Sequence, residues 1–310
     1  MVTRTVVTAL SLALLAIALT PADAWAWTPG THILLGETVL RSLAHLPGSV
    51  AELLQAFPYD FLYGSIAADT SIAKKYAETG RHCHSWRVGF EVYEQAKDER
   101  LRAFGLGYLS HLAADVVAHN HFVPFRLAVT SSTVTLGHSY WESRFESRLG
   151  ESGARRAREV ILLDHARSDA LLDRILSPTI FSTPMNRRFF RGMVHVTDLG
   201  PWQRLMQVMA DNSRWDLREG EVNTYLARSF DYVMDILRRQ GAAEPVAFDP
   251  SGENPLREAK RLRRLAFRDG GESQVLAAAE RAYGMPASAL DFSGRLSEPL
   301  VPAARGAAGR

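Results

Sequence analysis

Apolar positions recur at helical spacing along most of the chain, and no stretch alternates as a half-buried strand would. Ile33, Leu34, Val39, Leu40 and Leu43 predict a helix over 31–46, closed by Pro47-Gly48. A short helix over 49–57 follows. Residues 61–72 are rich in small side chains and carry Asp69. Residues 88–108 read as helix, with Asp98 placed to interrupt it. The next helix carries His111, Asp115 and His119 and is expected to end near Pro124. The Thr-rich segment 131–137 reads as a loop before a helix carrying His138. Downstream, helical patterns cover 154–176, 202–210 and 221–239. In the last of these Leu226, Phe230, Val233 and Leu237 form the stripe, and Gly241 is the expected C-cap. Residues 242–255 contain Pro and Gly and read as a linker. A basic helix over 257–268 and a short helix over 273–283 come next, and 285–310 reads as an unfolded tail. The expected class is all-α, with one multi-helix domain over 27–241 and an appended 242–284 segment.

Composition narrows the partners. The chain has 310 residues and a net charge of +2, which makes no case for a stable nucleic-acid partner. Residues 1–26 have the form of a signal peptide: Arg4, an apolar run over 9–19, and small residues around Ala24-Trp25-Ala26. Export to the periplasm or medium is expected, with cleavage before Trp27 favoured over cleavage before Trp25. Cys83 is the sole cysteine, so an internal disulfide is excluded. The basic helix combines Lys260, Arg261, Arg263, Arg264 and Arg268 with Leu262, Leu265 and Phe267. It is a candidate for transient contact with a membrane surface, against the plainer reading of a solvated helix with one packed face.

The chemistry concentrates between residues 107 and 142. His111, Asp115 and His119 are spaced four apart, so each sits about 40° round from the last on one stripe of a helix. His138 and Glu142 repeat the spacing. Imidazole and carboxylate stacked in this way can hold zinc or a similar divalent ion. Three other features suit the same site: Trp27 followed by His32, Asp69 behind a run of small residues, and His84. Taken singly, His32 reads equally as a capping histidine and Asp69 as a loop cap. His82, His45, His165 and His195 read as spectators.

In this order the residues resemble those of the zinc-dependent phospholipase C family. Its superfamily includes fungal single-strand nucleases and glycosylphosphatidylinositol-specific phospholipase D. The resemblance covers 27–142 and implies two or three zinc ions. Asp69, His84, His111 and Asp115 would hold the first. His119 or His121, with His138 and Glu142, would hold the second. The amine and carbonyl of Trp27, with His32 and a bridging Asp115, would hold the third. The ions would orient a phosphodiester and generate a hydroxide, and Asp69 would act as base or orient the water.

Two departures qualify this. The family usually has Gly before the Asp and Gln-Pro after it, with the next His six residues on. Here Ala114 precedes Asp115 and no proline comes before Pro124, so an unbroken helix favours His119 over His121. Thr28, Pro29, Gly30 and Thr31 supply no acidic residue behind Trp27, so choline specificity is not implied. The implied activity is an exported phosphodiesterase, a phospholipase C acting on phospholipid headgroups. Alternatives are a nuclease of the same superfamily, which Glu142 in place of Asp disfavours, and a catalytically silent, metal-stabilised envelope protein.

Overall fold

The computed structural model describes residues 27–71, 81–130, 134–150 and 152–300, with the side chains of 134–136 left out. The proposed signal segment lies outside the described residues. Among those described, the chain is all-α and no strand occurs. In order the helices are α1 (Pro29–Arg41), α2 (Gly48–Ala56), α3 (Pro58–Ala67), α4 (Trp86–Glu94), α5 (Glu99–Val117), α6 (Val123–Val129) and α7 (Val134–Ser147). They continue with α8 (Ser152–Ile161), α9 (Ala166–Ile175), α10 (Thr183–Thr197), α11 (Gly200–Asp211), α12 (Glu219–Arg239) and α13 (Glu253–Tyr283).

α5 is the axis. The Asp98 carboxylate caps it by accepting from the Leu101 N–H at 3.0 Å, which also explains the break after α4. From Ala103 to Val117 every residue is buried, and a helix buried all round is the core itself. α3, α4 and α12 pack against it. The crossing with α3 is unusually close. A Cβ on Gly64 would lie 2.1 Å from the Phe104 carbonyl oxygen, and one on Gly107 would lie 2.1 Å from that of Phe61. Two glycines therefore let the backbones touch, which brings the turn after α3 (Ala68–Thr70, with Asp69) beside His111.

Several expectations are corrected. Pro124 does not end the metal-type helix. A π-turn over Ala118–Phe122 follows α5, and the Val123 N–H bonds to Ala118 O, five residues back. Pro124 then falls in the first turn of α6, where its missing N–H is tolerated. Val134–Gly137 lies within α7 rather than in a loop, while 131–133 is outside the described residues. The pattern over 154–176 splits at 162–165 into α8 and α9, and α10 was not expected at all. Gln240, with φ 47°, ends α12 in the left-handed region, so Gly241 is not its cap. The two C-terminal helices join as α13 around a kink at Gly270-Gly271. The tail is packed as far as it is described: Phe292 and Leu300 are buried, and Asp231 accepts from the Ser293 N–H at 2.8 Å. No described helix is long and apolar enough to cross a membrane.

Candidate metal centre

Asp115 is completely buried near the end of α5, and imidazoles converge on it from three elements. His32 of α1 places Nε2 3.2 Å from Oδ1. His84, just before α4, and His111 of α5 place Nε2 2.9 and 3.0 Å from Oδ2. The two Nε2 atoms of His84 and His111 are themselves 3.0 Å apart. Asp69 adds an oxygen 3.4 Å from His84 Nε2 and 3.9 Å from His111 Nε2. Ligands about 2.1 Å from one tetrahedral ion stand about 3.4 Å apart, and about 3.0 Å apart at a right angle. The observed spacings have that size. Asp115 offers one oxygen to each side, as a bridging carboxylate must.

The ligand orientations are fixed from outside. The Nδ1–H of His111 donates to the Ser65 carbonyl at 2.9 Å, which in the neutral ring leaves Nε2 bare and aimed at Asp115. The ring stacks on His32 at 3.9 Å. Tyr108 donates to the Cys83 carbonyl at 2.6 Å and so pins the segment carrying His84. Trp27 is fully buried, its indole N–H shared between Ala114 O at 3.0 Å and Ser229 Oγ at 3.2 Å, with its ring against Phe122 and Phe145. The structure thus seats Trp27 one residue from Asp115, held by its side chain.

A second group lies beside the first, with the rings of His84 and His119 6.2 Å apart. His138 Nε2 is 2.6 Å from Glu142 Oε1, and His119 Nε2 is 4.0 Å from the same oxygen. The Nδ1–H of His119 donates to Pro250 O at 2.7 Å. Gly252 makes that approach possible. Its φ is +58°, and a Cβ there would lie 2.4 Å from both Cβ and O of His119. His121 is turned elsewhere, with Nδ1 3.2 Å from Tyr283 O and its ring edge-on to Phe248. His119 therefore joins His138 and Glu142, and His121 does not. The grounds differ from an unbroken α-helix, because the π-turn sets the register at this point.

The donor set fits a metal. Asp69, Asp115 and Glu142 put carboxylates in the interior against imidazoles. Burial holds the pKa of His32 below its usual value, and neighbouring His111 depresses it further, so it stands as a neutral imidazole rather than a counter-cation. Burial alone would raise the Asp115 carboxyl, but the surrounding imidazoles outweigh this and keep it well below the usual carboxylate range. Both Asp115 oxygens and His32 Nε2 are buried without a well-aligned hydrogen bond, for all their closeness to one another and to the other imidazoles. An ionised carboxylate in that state needs a cation nearby. The groups His32–His111–Asp115, Asp69–His84–His111 and His119–His138–Glu142 each bring three ligand atoms within 4.8 Å of one another. His82, Cys83 and His84 form a further such group.

The zinc dependent phospholipase C family model matches residues 31–181. Over that span the chain belongs to the zinc-dependent phospholipase C family. Curated proteins and solved structures yield no match. The matched span holds His32, Asp69, His84, His111, Asp115, His119, His138 and Glu142, so the family's zinc dependence and the gathered donors point to one place.

Sequence reasoning missed the residues that orient the ligands: Ser65, Pro250 and Gly252 act through backbone, and no side-chain signal marks them. It also missed Glu146, one turn past Glu142. Burial pushes the Glu146 carboxyl up to about 7, partly opposed by hydrogen bonds from Thr28 and the Gly30 N–H at the start of α1. Its spacing from Glu142 was the available sign.

Proposed function

We propose that this protein is an exported zinc-dependent phosphodiesterase, a phospholipase C that cleaves phospholipid headgroup esters with two or three zinc ions. One observation carries the reading: Asp115 turns one oxygen to His32 and the other to His84 and His111, beside the group of His119, His138 and Glu142. Structural zinc sites are closed by four protein ligands, whereas adjacent groups sharing a carboxylate suit a hydrolytic centre. Zinc, when bound, supplies Lewis-acid charge at the phosphoryl oxygens and lowers the pKa of water toward neutrality.

The chain's own part is to place and poise. Asp115 ties the His32 side to the His84–His111 side. Asp69, buried 3.4 Å from His84 Nε2, accepts the proton of the attacking water or orients it. The Ser65 and Pro250 carbonyls hold His111 and His119 in the tautomer that presents Nε2. Trp27 adds its amine if export removes residues 1–26. An α-amine has a reference pKa of about 7.7–8.0, so a metal displaces its proton at neutral pH. The seat of the Trp27 indole beside Ala114 supports this.

The test is zinc content and turnover of the purified secreted protein on a phospholipid panel and on single-stranded DNA, with intact mass to locate the N-terminus. Lipid headgroup release dependent on zinc is expected. Preferential DNA cleavage would move the assignment to the nucleases, and zinc binding without turnover on either would make it a silent metal protein.

A further inference from the structure

α10 buries Asn186, Phe190 and Val194 against the body of the protein. Its opposite face carries Met185, Phe189 and Val196, which are 39, 43 and 40% exposed. At about 100° per residue these three fall within about 40° of one another, a continuous band along the helix. Ile180 and Phe181 extend the band before the helix, the Phe181 ring 5.1 Å from that of Phe189. Leu199 and Val208 extend it toward and onto α11. Single exposed apolar residues need no explanation, but a contiguous band does.

The fringe of the band is cationic. α10 contains Arg187, Arg188 and Arg191 and no carboxylate. Arg187 is taken up by Asp173, whereas Arg188 is exposed on the band's own side and Arg204 is exposed on α11. The location matters as much as the chemistry. α10 packs on the turn carrying Asp69, and α11 packs on α7, which carries His138 and Glu142. The two helices that carry the band therefore pack, by their inner faces, on elements of both donor groups.

We propose that the outer face of α10 and α11 docks in the plane of an anionic lipid bilayer, sinking Met185, Phe189 and Val196 among the acyl chains and setting Arg188 and Arg204 at the headgroups. This deepens the phospholipase reading and rests on it. An apolar face with a cationic border is the pattern of a helix lying in the interface, and no described helix could span it. The basic helix expected from sequence to touch lipid is less suited. Within α13, Arg257 faces Glu253, Arg261 faces Glu258, and Arg263 is held by Glu272 and by the carbonyls of Ala128 and Val129.

The test compares the Met185→Ser, Phe189→Ser double variant with a Leu265→Ser, Phe267→Ser control on α13, both in the full chain. Co-sedimentation is measured with vesicles of phosphatidylcholine alone and of phosphatidylcholine mixed with phosphatidylglycerol, on zinc-loaded and metal-stripped protein. Wild type should favour the anionic vesicles. The α10 pair should lower partitioning about tenfold or more, and the α13 pair should leave it unchanged. Turnover of a soluble chromogenic phosphodiester should survive in the α10 pair. Equal vesicle binding by wild type and the α10 pair, or loss only in the α13 pair, would overturn the proposal. So would wild-type self-association that the α10 pair abolishes, since the face would then belong to a second copy. Binding is read on metal-stripped protein too, so a failure to hydrolyse any lipid sinks the hydrolase reading while the docking result is still decided.

Discussion

The two groups of donors are built from different material. The group around Asp115 stands on α1, the α3 turn, the segment before α4, and α5. It is locked by the Gly64–Gly107 crossing, and its orienting carbonyl, Ser65, lies inside the same packed unit. The group of His119, His138 and Glu142 stands on the π-turn and α7. Its brace is the Pro250 carbonyl, 131 residues further along and outside the span matched by the family. The first group is therefore part of the core. The second depends on a C-terminal segment being docked, which makes it the easier of the two to disturb without unfolding the protein.

The largest expected effect is at Asp115, which the His32 side and the His84–His111 side of the first group share. Asp115→Asn should lower kcat/KM about a thousandfold or more, since metal ions supply several kcal/mol of transition-state stabilisation. Zinc content should fall in the same variant. Near-normal turnover with full zinc would remove Asp115 from its bridging role. Next in size, His119→Gln should lower zinc affinity by at least the ten- to hundredfold that loss of an outer partner costs, about 1.4–2.8 kcal/mol. His121→Gln should leave zinc content unchanged and cost about 1 kcal/mol of stability through its lost bond to Tyr283 O. The reverse pattern in zinc titrations would show that His121 is the ligand after all.

Two glycines support the two groups separately. Gly252→Ala, at φ +58° and against His119, should cost about 1–3 kcal/mol and weaken zinc only at the second group. Gly64→Ala should cost a similar amount by separating α3 from α5, and should weaken zinc at the Asp115 group. Thermal unfolding beside site-resolved zinc titration separates the two. If both variants lose the same zinc, the groups are not independently supported.

Glu146 bears on stability alone, through pH. Burial pushes its folded carboxyl up to about 7, against an ordinary value of 4.5, so between the two the folded state holds a proton that the unfolded chain has released. Stability should fall as pH rises from about 4.5 through 7 and flatten above, by about 3 kcal/mol at most from this group. Glu146→Gln should remove that slope. An unchanged slope in its unfolding curves would mean that another group titrates.

How much was legible follows from where the information sits. The i, i+4 spacings of His111–Asp115 and His138–Glu142 are local, and helix geometry alone puts each pair on one face. Asp98 as a boundary was legible for the same reason, because a cap is made by its own neighbours. The π-turn was not, because Pro124 looks like a stop unless the widened turn before it is known. α10 escaped notice because Phe189 and Phe190 sit side by side, one outward and one inward, and an exposed apolar band blurs the amphipathic pattern. The brace at Pro250–Gly252 looked like a linker because its job is done by a carbonyl and by the lack of a Cβ. The packing of Phe292 and Leu300 is likewise tertiary, and a polar segment carries no sign of it.

These donors form two adjoining metal sites, one built around Asp115 and the other on His119, His138 and Glu142. Anomalous diffraction at the zinc edge, from crystals of the purified protein grown with zinc, tests this most directly. One peak is expected about 2.0–2.2 Å from Asp115 Oδ2 and the Nε2 atoms of His84 and His111, and another at the same distances from His119, His138 and Glu142. Zinc bound instead through His82 and Cys83, or neither group holding zinc, would contradict it.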